Sequence, residues 1–136
     1  MHIAELGFRT VALVKHHGDE STIEDTRRPL YRHMIMEELV GGPSMIRYHE
    51  DRLDLLVMTH EGYEGDEVCN VDHLPPGRYA VQDYEGPVAG LATARQKFMA
   101  EVAPLGPAGD LLQIHHMDDV DGVVEEQFQI FLGPQV

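Results

Sequence analysis

Apolar residues fall into two kinds of period along this chain, and the two alternate in the same order twice. Thr10-Val-Ala-Leu-Val-Lys-His-His-Gly18 is a short apolar run, rich in β-branched residues and closed by glycine, which predicts a strand. Arg78-Tyr-Ala-Val-Gln-Asp-Tyr-Glu-Gly86 has the same shape. Each run is followed by a helical period. Ser21 to Val40 carries Leu30, Met34, Met36 and Leu39 on or near one face. Pro87 to Val102 carries Leu91, Ala94, Phe98 and Val102 at spacings of three and four. Gly41-Gly42-Pro43 predicts the stop of the first helix, and Pro104 to Gly109 the stop of the second. Pro29 fits near the start of a helical segment capped by Asp25 or Thr26, where its missing N–H does no harm. Met45 to His49 and Leu111 to Met117 read as strands, each running into an acidic turn, Glu50-Asp51-Arg52 or Asp118 to Gly122. Asp54 to Thr59 and Glu126 to Leu132 add a last strand to each half. In the latter Phe128, Ile130 and Leu132 alternate with Gln127, Gln129 and Phe131.

The two halves are in register. Ala12 and Ala80, Gly18 and Gly86, Ile46 and Ile114, and Asp51 and Asp119 are all 68 positions apart. The pattern is strand–helix–strand–strand written twice. It predicts an α+β fold: a duplicated βαββ unit, closing as an antiparallel sheet with two helices on one face. That leaves the other face for a partner or ligand, with a central ligand cleft along the pseudo-two-fold between the halves. At 136 residues the chain has the length of one domain, with repeats at about 8–60 and 76–133.

Charge narrows the partners. Ten Lys and Arg against 24 Asp and Glu give a formal net charge of −14. That sign opposes direct binding to nucleic acid or to an anionic membrane surface. A cationic ligand or a basic protein would be steered favourably. The single Cys69 cannot form an internal disulfide and suits a reducing, cytoplasmic setting. The start of the chain lacks the pattern of a signal peptide, and no apolar stretch approaches the roughly 20 residues a membrane helix needs.

Catalytic and metal motifs are sparse. His16-His17 and His115-His116 are adjacent in predicted strands, so their side chains face opposite ways and neither pair chelates one ion. No HExxH or Cys/His spacing is present, so no metal is expected. Neither Ser21 nor Ser44 lies in G-x-S-x-G, and Cys69 has no motif around it. The reading favours a binder over an enzyme and leaves the choice open.

The run Leu74-Pro75-Pro76-Gly77-Arg78-Tyr79-Ala80-Val81 through Tyr84-Glu85-Gly86-Pro87 resembles the signature of the GyrI-like small-molecule-binding domain. That domain is related to the SOUL fold and to effector domains of AraC- and MerR-type regulators. Arg9-Thr10-Val11-Ala12 to His16-His17-Gly18 resembles its weaker first copy, and the likeness spans roughly Phe8 to Pro134. No helix-turn-helix precedes it, so a stand-alone domain is expected rather than a complete transcription factor. The SOUL relation suggests haem, but no Cys-x-x-Cys-His appears and no cofactor is expected.

The resemblance implies a ligand-facing set of Tyr48, Gln113 and His115, with Tyr31 on the first helix as an aromatic neighbour. Family members that bind lipophilic cations carry a glutamate on the second-copy strand, where this chain has Gln113; the family's histidine is Tyr84 here. Gln keeps the hydrogen-bonding capacity and loses the charge. The implied function is cytoplasmic binding of small amphipathic or cationic molecules, for sensing or sequestration. The alternatives are an acidic protein-interaction module, such as a gyrase-inhibitor-like protein, and a hydrolase of reactive small molecules using pocket carboxylates. Oligomeric state is open.

Overall fold

The alternation around Ala12 and Ala80 puts each alanine in mid-strand with partners on both edges. The computed structural model describes residues 1–134. Its elements are β1 (His2–Leu6), β2 (Arg9–His16), α1 (Glu24–Met36), β3 (Ser44–Tyr48), β4 (Leu53–Thr59), β5 (Asn70–Leu74), β6 (Gly77–Pro87), α2 (Leu91–Val102), β7 (Leu111–Val120) and β8 (Val123–Gly133). The chain forms two compact units. The first unit is Phe8–Pro75, with strand order β3-β4-β2-β5 and helix α1. The second joins Met1–Gly7 to the chain from Pro76, with strand order β1-β6-β8-β7 and helix α2. Strand pairing within each unit is antiparallel. The architecture is the α+β, duplicated βαββ fold that the repeat predicts. No helix among the described residues is long and apolar enough to cross a membrane.

The alanines hold equivalent places. Ala12 lies opposite Val57 and Val71, and Ala80 opposite Ile130 and Ile3. The offset of 68 also carries β1 onto β5 (70 − 2 and 74 − 6). Both strands are absent from the sequence reading, because they are short, largely exposed outer strands without a clear apolar alternation. Each pairs across the repeat. β1 precedes β2 but pairs with β6, and β5 precedes β6 but pairs with β2. The buried helix positions keep the offset too: Ile23 and Leu91, Leu30 and Phe98, Met34 and Val102. In the first unit these residues of α1 and its approach pack on Ala12, Ile46, Leu55 and Val57, with Tyr63 and Cys69 closing the cluster. Each such buried side chain contributes roughly 1.5–3 kcal/mol.

Several boundaries differ from the sequence reading. α1 begins at Glu24, so Pro29 lies inside the helix, and Asp25 and Thr26 are helical rather than caps. The entry is organised instead by His16. Its Nε2–H donates to the Asp19 carbonyl (2.8 Å) and its Nδ1 accepts from the Thr26 hydroxyl (2.6 Å). α1 ends at Met36 rather than Val40. The N–H of Leu39 bonds back to the Met34 carbonyl, and that of Glu38 to Ile35, with Glu38 at φ 56. This is a Schellman cap. Its left-handed position holds Glu, not Gly, so the sequence carries no stop signal there. Met36 is accordingly exposed rather than on the core face. At the β7–β8 hairpin the turn is only Asp121-Gly122, both at positive φ, so Val120 pairs with Val123 and the strands run longer than predicted. The side chains of Asp118 and Asp119 lie outside the described residues. Gly86, expected to close a strand like Gly18, lies within β6 opposite Val124.

Gly77 has a physical reason to be glycine. Its φ is +146, and a Cβ there would lie 2.4 Å from the Gly133 carbonyl oxygen.

Asp54 is the most deeply buried acid among the described residues, at 0 % exposure. Its Oδ2 accepts from Arg47 Nη2 (3.0 Å) and from His49, and its Oδ1 from Arg52 Nε (3.3 Å). Arg47 also donates to Asp72 Oδ2 at 2.8 Å. Burial pushes the Asp54 carboxyl up, but the hydrogen bonds from His49 and Arg47 outweigh it and hold the pKa below the usual carboxylate value.

The helix cap and the buried acid are both open to mutation. Replacing Glu38 with Gly should relieve the left-handed strain and raise stability by about 1 kcal/mol or less, read as a higher urea midpoint at unchanged slope. Asp54→Asn removes the buried charge that Arg47, His49 and Arg52 surround and should cost about 3–5 kcal/mol. Because the folded pKa is lowered, the wild-type contribution is present above the unfolded pKa and lost as pH falls through the folded one. The variant should therefore show a flatter acid limb in a stability–pH profile.

Candidate functional site

Register decides what faces what. In the first unit Val57, the partner of Ala12, is two residues beyond Leu55, and Leu55 pairs with Ile46. In the second unit Ile130, the partner of Ala80, is two residues beyond Phe128, and Phe128 pairs with Gln113. Gln113 is thus the equivalent of Ile46, at an offset of 67 rather than 68. The sequence equivalence of Ile46 with Ile114 does not hold. A one-residue slip moves a whole strand's side chains to the other face. Here it puts Gln113 and His115 on the face toward α2.

The same registers match Tyr48 with His115 and Leu53 with Glu126. The first unit's face is therefore Ile46, Tyr48, Leu53 and Leu55, and the second unit's is Gln113, His115, Glu126 and Phe128. Three of the four positions have become polar. Gln113 and Glu126 are both buried, at 3 % and 6 % exposure.

These polar groups satisfy one another. Arg95 Nη1, from α2, donates to Gln113 Oε1 at 2.8 Å. Gln113 Nε2 donates to Glu126 Oε1 at 3.5 Å, a long contact. Glu126 Oε2 lies 3.1 Å from His115 Nδ1. Beside them the rings of Phe98 and Phe128 pack at 5.7 Å between centroids. A cation, a buried carboxylate, an amide and an imidazole thus meet next to an aromatic pair. The cluster can donate and accept hydrogen bonds, hold charge of either sign, and pass a proton between Glu126 and His115.

Of the residues singled out from sequence, Gln113 and His115 come together in this cluster. Tyr48 and Tyr31 belong to the first unit and lie half-buried against its core. The Tyr48 hydroxyl donates to Glu20 Oε1 at 3.0 Å. Arg95 and Glu126 were missed, though each left a signal. Arg95 falls between Leu91 and Phe98 on the apolar face of α2, and Glu126 shares the parity of Phe128 and Ile130. A charge on an apolar face of each of two elements marks a buried pair. Tyr84, in place of the family's histidine, braces the end of its own strand, where its hydroxyl donates to the Pro87 carbonyl at 2.5 Å. Gly90 makes room for it, since a Cβ there would lie 2.5 Å from that hydroxyl.

Cys69 is ill-suited as a nucleophile. Burial pushes its thiol pKa up; a hydrogen bond with Tyr63 works against this, and the nearby Asp66 carboxylate adds to it. A thiol held protonated is a weak nucleophile.

The chain matches no protein-family model and no curated protein by sequence. Solved structures do match. SAV2435 bound to tetraphenylphosphonium aligns at a TM-score of 0.64 and 10% identity, over 95% of this chain and 91% of that one. The EcmrR C-terminal domain aligns at 0.77 and 12% identity, over 98% and 96%. In the EcmrR–DNA complex the match covers 99% of this chain but 57% of the EcmrR chain. A bacterial transcription regulation protein from Staphylococcus aureus MU50 aligns at 0.59 and 10% identity, over 95% of each chain. At these identities the likeness is one of fold, and it agrees with the motif run from Leu74 to Pro87: the fold of this chain is GyrI-like.

Proposed function

We propose that the chain is a cytoplasmic, single-domain binder of small amphipathic molecules, serving to sense or sequester them. Its ligand contacts include the α2-facing side of β7 and β8. The observation that supports this reading is the buried group of Arg95, Gln113, His115 and Glu126 beside Phe98 and Phe128. In the first unit Ile46 and Leu53 fill the positions equivalent to Gln113 and Glu126, so aliphatic residues there are compatible with the same fold. A buried polar network rarely adds stability over such residues, so its retention here points to a use. A few convergent polar groups on an apolar, aromatic wall are the makings of a small-molecule site.

SAV2435 was solved with tetraphenylphosphonium, a lipophilic cation. The buried carboxylate that the family resemblance places at position 113 is carried in this chain by Glu126, one strand over. Arg95 is linked to it through Gln113, and its charge opposes a cation. Neutral and weakly polar ligands therefore compete well with cations, despite the net charge of −14.

Calorimetric titration with tetraphenylphosphonium tests the assignment. Glu126→Gln should weaken binding about tenfold or more, which is about 1.4 kcal/mol. Arg95→Gln and Gln113→Glu should each strengthen it severalfold. If the folded Glu126→Gln and Gln113→Glu proteins bind the cation as the wild type does, these residues are not in the site.

The contact between Glu126 and His115 favours a second reading, hydrolysis of a strained electrophile with this pair as general base. Turnover of a small epoxide, abolished in Glu126→Gln, would establish it. Absence of turnover at saturating substrate would leave binding as the function.

A further inference from the structure

Asp66 and Cys69 lie three residues apart, and His33, far from them in sequence, meets them within the first unit. His33 lies in the last turn of α1, and Asp66 and Cys69 in the segment between β4 and β5. Asp66 is the organiser. Its Oδ1 accepts from the N–H groups of Val68 (2.8 Å) and Cys69 (3.0 Å), while its own N–H bonds to the Cys69 carbonyl at 2.9 Å. The segment is thereby folded so that carboxylate and thiol emerge together. His33 Nε2 lies 2.8 Å from Asp66 Oδ2, and Cys69 Sγ lies 3.5 Å from Asp66 Oδ1. One ligand atom from each of the three residues lies within 4.8 Å of the others.

We propose that His33 Nε2, the Asp66 carboxylate and Cys69 Sγ form a zinc site. Thiolate, imidazole and carboxylate together are a donor set that suits zinc and excludes magnesium or calcium, which take oxygen. The spacing fits. Zinc holds such atoms at about 2.0–2.3 Å, so tetrahedral ligand atoms sit roughly 3.3–3.8 Å apart. Cys69 Sγ and His33 Nε2 approach different oxygens of the Asp66 carboxylate, Oδ1 and Oδ2, so the ion enters with a small rotation of that carboxylate and an opening of the His33 contact by about half an ångström. On binding, the Cys69 thiol proton leaves to solvent, and His33 carries its ring proton on Nδ1.

The Tyr63 hydroxyl, 2.8 Å from Cys69 Sγ, then donates to the thiolate. Such outer hydrogen bonds fix and tune a ligand. The site also has an open side. Asp66 and Cys69 line a cavity of about 530 Å³ with Glu64, Gly65, Asn70 and Val71. The fourth position is left to water from that space. Three protein ligands with an exchangeable fourth make an open site rather than a closed structural one.

The test uses the full chain after EDTA treatment. Zinc is titrated against a chromophoric chelator, and Co²⁺ is added separately as a spectroscopic probe. One equivalent of zinc should bind. The Co²⁺ complex should show a thiolate-to-metal charge-transfer band and the intense visible bands of a tetrahedral site. Cys69→Ser should abolish the charge-transfer band, and His33→Gln should weaken zinc by tenfold or more. Absence of one-equivalent binding overturns the proposal, as does zinc affinity that survives both substitutions or a Co²⁺ complex without the thiolate band. Should Cys69→Ser fail to fold, His33→Gln at its part-exposed helix position decides the matter alone. The tetraphenylphosphonium titration does not involve these residues, so the two assignments fail independently.

Discussion

Asp54 and Glu126 are carboxylates on the strands at the middle of each βαββ motif, where water cannot solvate them. Much of what distinguishes the two units follows from how each is satisfied. A buried carboxylate without a partner costs several kcal/mol and would take up a proton instead. Asp54 is ringed by Arg47, His49 and Arg52, an arrangement that keeps it charged. The interaction ties β3, β4 and the turn between them into one charged cluster, and Arg47 extends it to Asp72 on β5. Glu126 has a softer set of partners, an imidazole and an amide, with the guanidinium of Arg95 beyond the amide.

That contrast separates a structural acid from one with spare capacity. Two arginines and a histidine occupy the Asp54 oxygens. The Glu126 oxygens face Gln113 and His115, groups that can rotate or change protonation state with little disruption to the backbone. On its helix-facing surface the first unit carries Ile46, Tyr48, Leu53 and Leu55, and the second carries Gln113, His115 and Glu126 beside Phe128. A duplicated fold allows this difference, because the two copies need share only the packing that their common register requires.

The helices show the same split. Arg27 stands 68 residues before Arg95, yet it pairs with Glu24 on its own helix. Arg95 reaches down to Gln113. The difference lies in the third strand, where the offset changes from 68 to 67. That single step brings Gln113 under α2 in place of an aliphatic side chain. Satisfying the buried amide then takes a donor from above and an acceptor from the next strand, and Arg95 and Glu126 are those groups.

The sequence by itself determined the element order, the duplication and the family of fold. Those depend on local period, on glycine at strained positions such as Gly77, and on a repeat offset that Ala12 and Ala80 keep. It also pointed to Gln113 and His115, since a polar side chain in an apolar strand is visible without a structure. The outer strands β1 and β5 were not legible, because an exposed edge imposes little pattern on its residues. The end of α1 was not, because Glu38 fills a place usually marked by glycine. Tertiary structure alone decided the register of β7 against β8, and with it which side chains meet Gln113. It also brought His33 to Asp66 and Cys69 across more than thirty residues of chain. Such pairings depend on how strands slide and loops fold back, and those energies come from contacts between residues that no local period relates.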